Sequence, residues 1–259
     1  MRIATWNVNS VKAHLDAVLA WLKEAKPDVV CLQEIKCEDH AFPAPAFEEL
    51  GYSCAVHGQK TYNGVALLSR YTLEDVEKGL PGGDGDDHAR FVAATVLGPK
   101  VVRVASLYLP NGNPAPGPKY DYKLAWMKRL EAYARKALLL EEPLVLAGDY
   151  NVIPEPRDAR FPENWKTDAL FLPQTRAAFT SLKAIGLTDS YRAIHPLKTG
   201  VYSFWDYQAG AWQKDNGILI DHLLLSPQAA DRLAGAEIHK HVRGWEKPSD
   251  HVPVMITLK

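Results

Sequence analysis

Cysteine is scarce in this chain of 259 residues: Cys31, Cys37 and Cys54 are an odd number with no CxxC pair. Neither a disulfide framework nor a cysteine zinc site fits that count, and a reducing, intracellular setting is expected. Long apolar runs are missing too. The most apolar stretch, residues 137–147, is broken by Glu141, Glu142 and Pro143, so nothing there could cross a bilayer. Arg2-Ile3-Ala4-Thr5 leads into polar Asn7, not into the apolar centre of a secretion signal. A cytoplasmic location with no membrane partner is the expectation. Excess charge is also lacking, with a formal net charge of −1. That excludes a protein held to nucleic acid by its whole surface, but a local basic face remains open. Rival catalytic devices are absent as well: there is no GxSxG elbow, no HExxH, no GxxxxGK[ST] loop and no GxGxxG after a strand.

What is present is an ordinary globular composition, 47% hydrophobic and 24% charged, able to bury a large core without covalent help. No linker and no internal repeat divides the chain, which reads as one domain over residues 1–259. The succession of elements suggests an α/β layer structure of two similar halves with mixed sheets. Residues 3–7 alternate as a strand and end at Asn7. Ser10 is placed to cap a helix carrying Val11, Leu15, Val18, Leu19 and Leu22, stopped by Pro27. A second strand over 28–33 ends at Glu34. A strand, a crossover helix and a further strand of this kind lie parallel, so Asn7 and Glu34 should emerge at one rim.

Further strands are predicted at 52–57, 64–69, 90–97 and 101–109, the last delivering Tyr108. The acidic turn 79–87 has a faintly calcium-loop-like spacing but lacks the closing bidentate Glu. A helix is predicted over 119–138, with Lys123, Lys128 and Arg129 on its solvated side, and a shorter one over 175–185. Residues 218–225 read as a strand with Asp221 inside it, a costly place for a carboxylate without a partner. The closing strand is predicted at 252–258.

The chain centres on LVLAGDYNVIPEP, residues 144–156. An apolar run bracketed by Pro143 and Gly148 reads as a buried strand, with Gly148 permitting a sharp turn. Asp149 and Asn151 then follow, and Pro154 and Pro156 keep the next stretch irregular. Such a rigid strand tip facing a loop-built cleft is where scaffolded chemistry sits. If the later strands run opposite to the early ones, Asn7, Glu34, Tyr108, Asp149, Asn151, Asp221, Asp250 and His251 all meet at one mouth. The carboxylate and amide oxygens among them are hard donors, suited to Mg²⁺ or Mn²⁺. Such a set can hydrolyse a phosphodiester: a cation offsets charge, a base orients water, and donors hold the phosphate oxygens.

The segments WNVNS, LQEIK, SLYLPNG, GDYNVIPEP, IDHLLLS and PSDHVPV, in this order and at these intervals, resemble the exonuclease III family of abasic-site endonucleases. That family lies within the endonuclease/exonuclease/phosphatase superfamily. The resemblance spans essentially the whole chain. It implies a four-layer α/β sandwich, two packed mixed β-sheets flanked by helices. It also implies Mg²⁺-dependent cleavage of duplex DNA 5′ to abasic sites, with 3′→5′ exonuclease action and clearing of blocked 3′ ends, by a monomer. By the same resemblance Glu34 and Asn7 serve the metal, joined by Asp149, Asn151 and Asp250. Asp149 is the general base, aided by Asn151. Tyr108 contacts the scissile phosphate, and Asp221 and Asp250 flank His251.

Phe204 and Ile218 stand where the family builds an apolar pocket for a base-free sugar, which selects abasic sites because an unstacked nucleotide flips most cheaply. Trp205 beside Phe204 reads as packing. Asn111 in the PNG loop, Arg90 and Lys119 are candidate DNA contacts, ahead of Arg157, Arg160 and Lys166. Where the family commonly has a basic residue before the Ile-Asp pair, this chain has Leu219. The loss of one phosphate contact would flatten the salt dependence of binding by roughly one unit of slope. A phosphodiesterase or phosphatase acting on a non-DNA phosphate ester is the alternative within the superfamily. His239 and His241 alternate on a predicted strand and read as its solvated face, and Cys31 as a small core residue.

Overall fold

The computed structural model describes Met1–Lys259. Its first strand, β1 (Arg2–Asn7), runs parallel to β2 (Val29–Gln33), with α1 (Leu15–Ala25) as the crossover. Every residue of β2 is buried, as in a strand covered on both faces, and its VVCLQ sequence supplies apolar side chains to both. The same unit recurs downstream. There β7 (Val102–Tyr108) and β8 (Leu144–Asp149) are parallel and joined through the long helix α3 (Pro118–Leu138).

Antiparallel strands complete two six-stranded sheets. β3 (Ser53–His57), β4 (Val65–Ser69), β11 (Leu233–Ile238) and β12 (Val254–Leu258) extend the first to the order β11-β12-β1-β2-β4-β3. β5 (Leu73–Lys78), β6 (Phe91–Val96), β9 (Thr188–Asp189) and β10 (Asp221–Leu225) extend the second to β5-β6-β7-β8-β10-β9.

Period-2 alternation sorts the side chains into layers. Ile3, Val29 and Cys31 of the first sheet pack against Val92, Val104, Val145 and Ala147 of the second. On the outer face of the first sheet Trp6, Val30 and Leu32 lie under Trp21 and Leu22 of α1 and Phe47 of α2 (Ala44–Glu48). On the outer face of the second, Ala105, Leu107 and Leu146 lie under Trp126 and Leu130 of α3 and Phe179 of α4 (Pro173–Ala184). Helix, sheet, sheet, helix is the four-layer sandwich expected from the resemblance. No helix is long and apolar enough to cross a membrane.

β12 and β10 run antiparallel to β1 and β8, respectively. The C-terminal tips of β1, β2, β7 and β8 therefore share a rim with the N-terminal ends of β10 and β12, the geometry the sequence required.

Several local expectations are corrected. α1 starts at Leu15, because Ser10 sits at φ 85° and its hydroxyl accepts from the Ala13 amide in a preceding turn. Strand β5, LEDVEK, lies outside the predicted strands because an edge strand bristling with charge carries little apolar period. Residues 218–220 lie outside β10, so Asp221 stands at the strand's entrance and not within it. His239 and His241 are not on a strand: β11 ends at Ile238 and they lie at a 3₁₀ turn over Lys240–Gly244. The indole N–H of Trp21 donates to Nδ1 of His239, which leaves the proton of a neutral ring on Nε2.

Gly148 lies inside β8, not at a turn after it. A Cβ there would sit 2.0 Å from the carbonyl oxygen of Leu107 on β7, so the residue is set by the close approach of two strands. The acidic turn is pinned through Asp86, which takes hydrogen bonds from Tyr122 and Arg129.

Candidate active site

Strand register brings the first three site residues into one row: Tyr108, Asp149 and Asp221 are lateral partners on β7, β8 and β10. Side chains in one such row share a face, here the face toward the first sheet. Asn7, at the tip of β1, meets them from that sheet. Its amide nitrogen donates to Oε1 of Glu34 at 2.8 Å and to Oδ2 of Asp149 at 2.9 Å. Its own oxygen accepts the Asn9 amide, which fixes the orientation of the side chain. One neutral amide thus holds two carboxylates side by side.

Backbone strain is concentrated here. Glu34 (φ 48°), Lys36 (φ 54°), Asn9 (φ 43°) and Asn151 (φ 47°) all occupy the left-handed region, costing of order 1 kcal/mol or more for residues such as Glu and Lys. Surrounding main-chain bonds hold them: Ser10 donates to the Glu34 carbonyl at 2.7 Å, and Ile35 to that of Gly64 at 3.1 Å. The result aims Glu34 at Asn7 while Lys36 reaches Oε2 of Glu34 at 3.1 Å. Burial raises the Glu34 pKa, but Asn7 and Lys36 outweigh it, so the carboxyl titrates below its usual range and stays charged.

His251 closes the arrangement. Its Nδ1 donates to Oδ2 of Asp221 at 2.8 Å, and its Nε2 lies 3.6 Å from Oδ2 of Asp149. Burial works against a charged ring, yet Asp221 and Asp149 lift its pKa to about 10, so it is an imidazolium at neutral pH. Asp149, fully enclosed, is pushed up to about 7 by burial, which outweighs the pull of His251. Tyr108 titrates well above its usual range, from burial first and then from the charges of Glu34 and Asp149, and remains a neutral donor.

Asp149, Asp221 and His251 come within 4.8 Å of one another. An imidazolium is not a metal ligand, so this trio holds a proton. The donors that fit a divalent cation are the ionised carboxylate of Glu34 and that of Asp149 once its proton is displaced, both hard oxygens of the kind Mg²⁺ or Mn²⁺ takes; Asn7, expected as a ligand, turns its amide N–H groups toward both and spaces them instead.

The remaining predicted residues divide. Asn151 donates its amide N–H to Oδ1 of Asp149 and its side chain to the Leu109 carbonyl, both at 2.9 Å. Asn111 is brought to 3.5 Å of the Asn151 side chain. Phe204 packs edge-on against the His251 ring, with centroids 4.9 Å apart. Asp250 makes no hydrogen bond to Glu34, Asn7 or Asp149; its charge adds a smaller support to His251. Arg90 stacks on the Tyr108 ring at 4.9 Å and donates to the Tyr108 carbonyl, so it braces a site residue. Lys119 is exposed at the start of α3, apart from the cluster.

Two expectations about substrate contacts are corrected. Ile218, only 1% exposed, is sealed in an apolar cluster with Ile153, Leu170 and Ile220, so it is a floor under Phe204 and not a contact surface. Trp165, missed in the sequence, is with Phe204 a half-buried member of that cluster. Leu219 is also enclosed, its amide bonded to the Asp158 carbonyl, and does not face a phosphate. Trp205 is buried packing, as expected.

Three other supporting residues escaped the sequence reading. Ser203 donates to Oδ2 of Asp221 at 2.6 Å, and Ser249 ties the Asn7 carbonyl to the His251 amide. Lys123, read as solvated, is fully buried, and desolvation pushes its pKa down to about 7. For the serines, adjacency to Phe204 and His251 was the available signal. For Lys123 helical spacing set it beside the apolar Tyr120, Trp126 and Met127, but only the structure supplies the carbonyl partners that let an ammonium stay on that face.

Residues 4–251 match the endonuclease/exonuclease/phosphatase family. The chain is 33% identical over 269 residues to exodeoxyribonuclease III of Haemophilus influenzae, with 100% of both chains covered. Among solved structures, an AP endonuclease from Archaeoglobus fulgidus superposes with a TM-score of 0.94 at 37% identity, covering 100% of this chain and 99% of that one. A Neisseria 3′ phosphatase bound to a product DNA hairpin gives a TM-score of 0.95 at 39% identity, with 100% and 99% covered.

Proposed function

The chain belongs to the endonuclease/exonuclease/phosphatase family, and on that premise we propose that it is a divalent-metal-dependent DNA-repair nuclease. It hydrolyses the phosphodiester 5′ to an abasic site in duplex DNA, leaves a 3′-hydroxyl, and removes nucleotides or blocking groups from 3′ ends. The observation that carries this reading is the chain of contacts Glu34–Asn7–Asp149–His251–Asp221 at one rim.

Asp149 takes the proton of an attacking water, which the Asn151 side chain helps to orient; as the oxygen of that water bonds to phosphorus the bond to the 3′ oxygen breaks, and the departing oxygen takes a proton from solvent. Its displaced pKa suits that task, because a base works best when its pKa lies near the operating pH. The His251 imidazolium, held by Asp221, donates to a non-bridging phosphate oxygen as negative charge grows there. Tyr108, a neutral phenol, donates to a second phosphate oxygen. Glu34 and Asp149, spaced by the Asn7 amide, would hold Mg²⁺ or Mn²⁺, which when bound supplies positive charge beside the phosphate. Phe204, packed edge-on against His251, offers an apolar face to a sugar that carries no base. A normal nucleotide must be unstacked to reach it, at a few kcal/mol.

The test is a labelled duplex with one abasic analogue, incubated with Mg²⁺ or with EDTA. A single cut 5′ to the lesion, ending in a 3′-hydroxyl and abolished by EDTA, is the expected product. An intact duplex, alongside turnover of a small phosphate ester such as an inositol phosphate, would move the substrate out of DNA.

A further inference from the structure

Lys123 lies near the N-terminal end of α3, and its ammonium points inward. Nζ donates to the main-chain carbonyl of Asn111 at 3.0 Å and to that of Asn151 at 2.5 Å. Those carbonyls belong to the segments that follow β7 and β8, the strands whose tips carry Tyr108 and Asp149. The stem is gripped from outside as well: a Cβ on Gly112 would lie 2.6 Å from Cδ of Lys123, so the PNG loop closes over it.

We propose that Lys123 is a positioning residue for phosphodiester cleavage: its ammonium, bridging two main-chain carbonyls, sets the Asn111 and Asn151 side chains at the mouth of the site. This rests on reading that site as hydrolytic. Asn151 is in the left-handed region, at φ 47°, where its carbonyl turns toward α3 while its amide N–H meets Asp149 and its side chain meets Leu109. Three of its polar groups are thus committed to three different elements, and Lys123 supplies the bond to α3. A charged donor makes a stronger bond than a neutral one, and a buried carbonyl stripped of its donor does not keep its place. Without the ammonium, the two strand tips lose their common anchor and the Asn111–Asn151 side-chain pair, at 3.5 Å, loses its register.

A lysine that merely stabilised the fold would lower the melting temperature of its variant and leave turnover alone. The proposal separates kcat from KM instead. In Lys123→Met, with DNA and Mg²⁺ saturating, kcat on the abasic duplex should fall by about 10–100-fold, the usual loss when a supporting partner is removed. KM should move less, by about threefold at most, the share of a displaced Asn111 contact, since Lys123 itself is buried away from the DNA. A folded Lys123→Met with wild-type kcat overturns the proposal. Should that variant not fold, Lys123→Gln keeps most of the stem and a neutral donor and must lower kcat with KM changed less; wild-type kcat there overturns it equally. A wild-type enzyme that leaves the abasic duplex uncut fails the nuclease reading instead, a result distinguishable from a fast variant.

Discussion

The proton on His251 is the residue-scale fact from which the chemistry follows. Two buried carboxylates hold it, and the proposed mechanism uses that arrangement: Asp149 accepts a proton from water while the His251 N–H hydrogen-bonds to phosphate and keeps its proton. Asp149→Asn keeps the shape but removes the base. Turnover should drop by about 10²–10⁴, or roughly 3–5 kcal/mol of barrier, while DNA affinity stays close to wild type. Near-normal kcat in this variant would take Asp149 out of the role. The pH profile follows from the same pair. Activity needs Asp149 ionised, so it is lost as pH falls through the raised Asp149 pKa, near 7 without a cation. It needs His251 protonated, so it is lost again as pH rises through about 10. A divalent cation competes with the proton at Asp149, and raising its concentration should shift the acid limb downward. An acid limb indifferent to metal would separate Asp149 from the metal site.

At the scale of elements, Gly148 shows how strand pairing sets a residue that the local pattern explains differently. The sequence offers it as a turn former, whereas the structure places it where β7 and β8 approach too closely for any side chain. Gly148→Ala should push the strands apart and cost about 1–3 kcal/mol or more in urea unfolding, with activity falling as Tyr108 and Asp149 lose register. An alanine variant of unchanged stability and rate would contradict the contact. Strands and helices were legible wherever an apolar period met Pro or Gly punctuation, as at β2, β7, β8 and α3. Edge strand β5 and the late start of α1 were not, because charge on an edge and a local serine turn each mask the period.

For the whole molecule, function depends on two sheets holding one another in place. A small polar link lies between them: Gln33 donates to Ser106 Oγ, and Ser106 donates to the Leu32 carbonyl, both at 3.0 Å. Thr5 donates to the Gln33 side-chain oxygen from the neighbouring strand. The link ties the strands that carry Glu34 and Tyr108. Ser106→Ala leaves buried donors and acceptors unpaired and should cost about 1–3 kcal/mol of stability. A loss below about 0.5 kcal/mol in denaturant titration, within the range of a neutral surface change, would show that apolar packing alone aligns the sheets.

The sequence by itself determined the succession of strands and helices and the polar character of the strand tips, since apolar period and chain punctuation are local signals; the four-layer order followed from the family resemblance. It also determined that Asn7, Glu34, Tyr108, Asp149, Asp221 and His251 could share a rim, because crossover geometry leaves parallel strands ending together. Only the tertiary structure decided which of them touch, that His251 is charged, that Ile218 and Leu219 are sealed, and that Lys123 points inward. Those outcomes depend on distances between residues far apart in the chain and on the exclusion of water around them, neither of which is written in any short stretch of sequence.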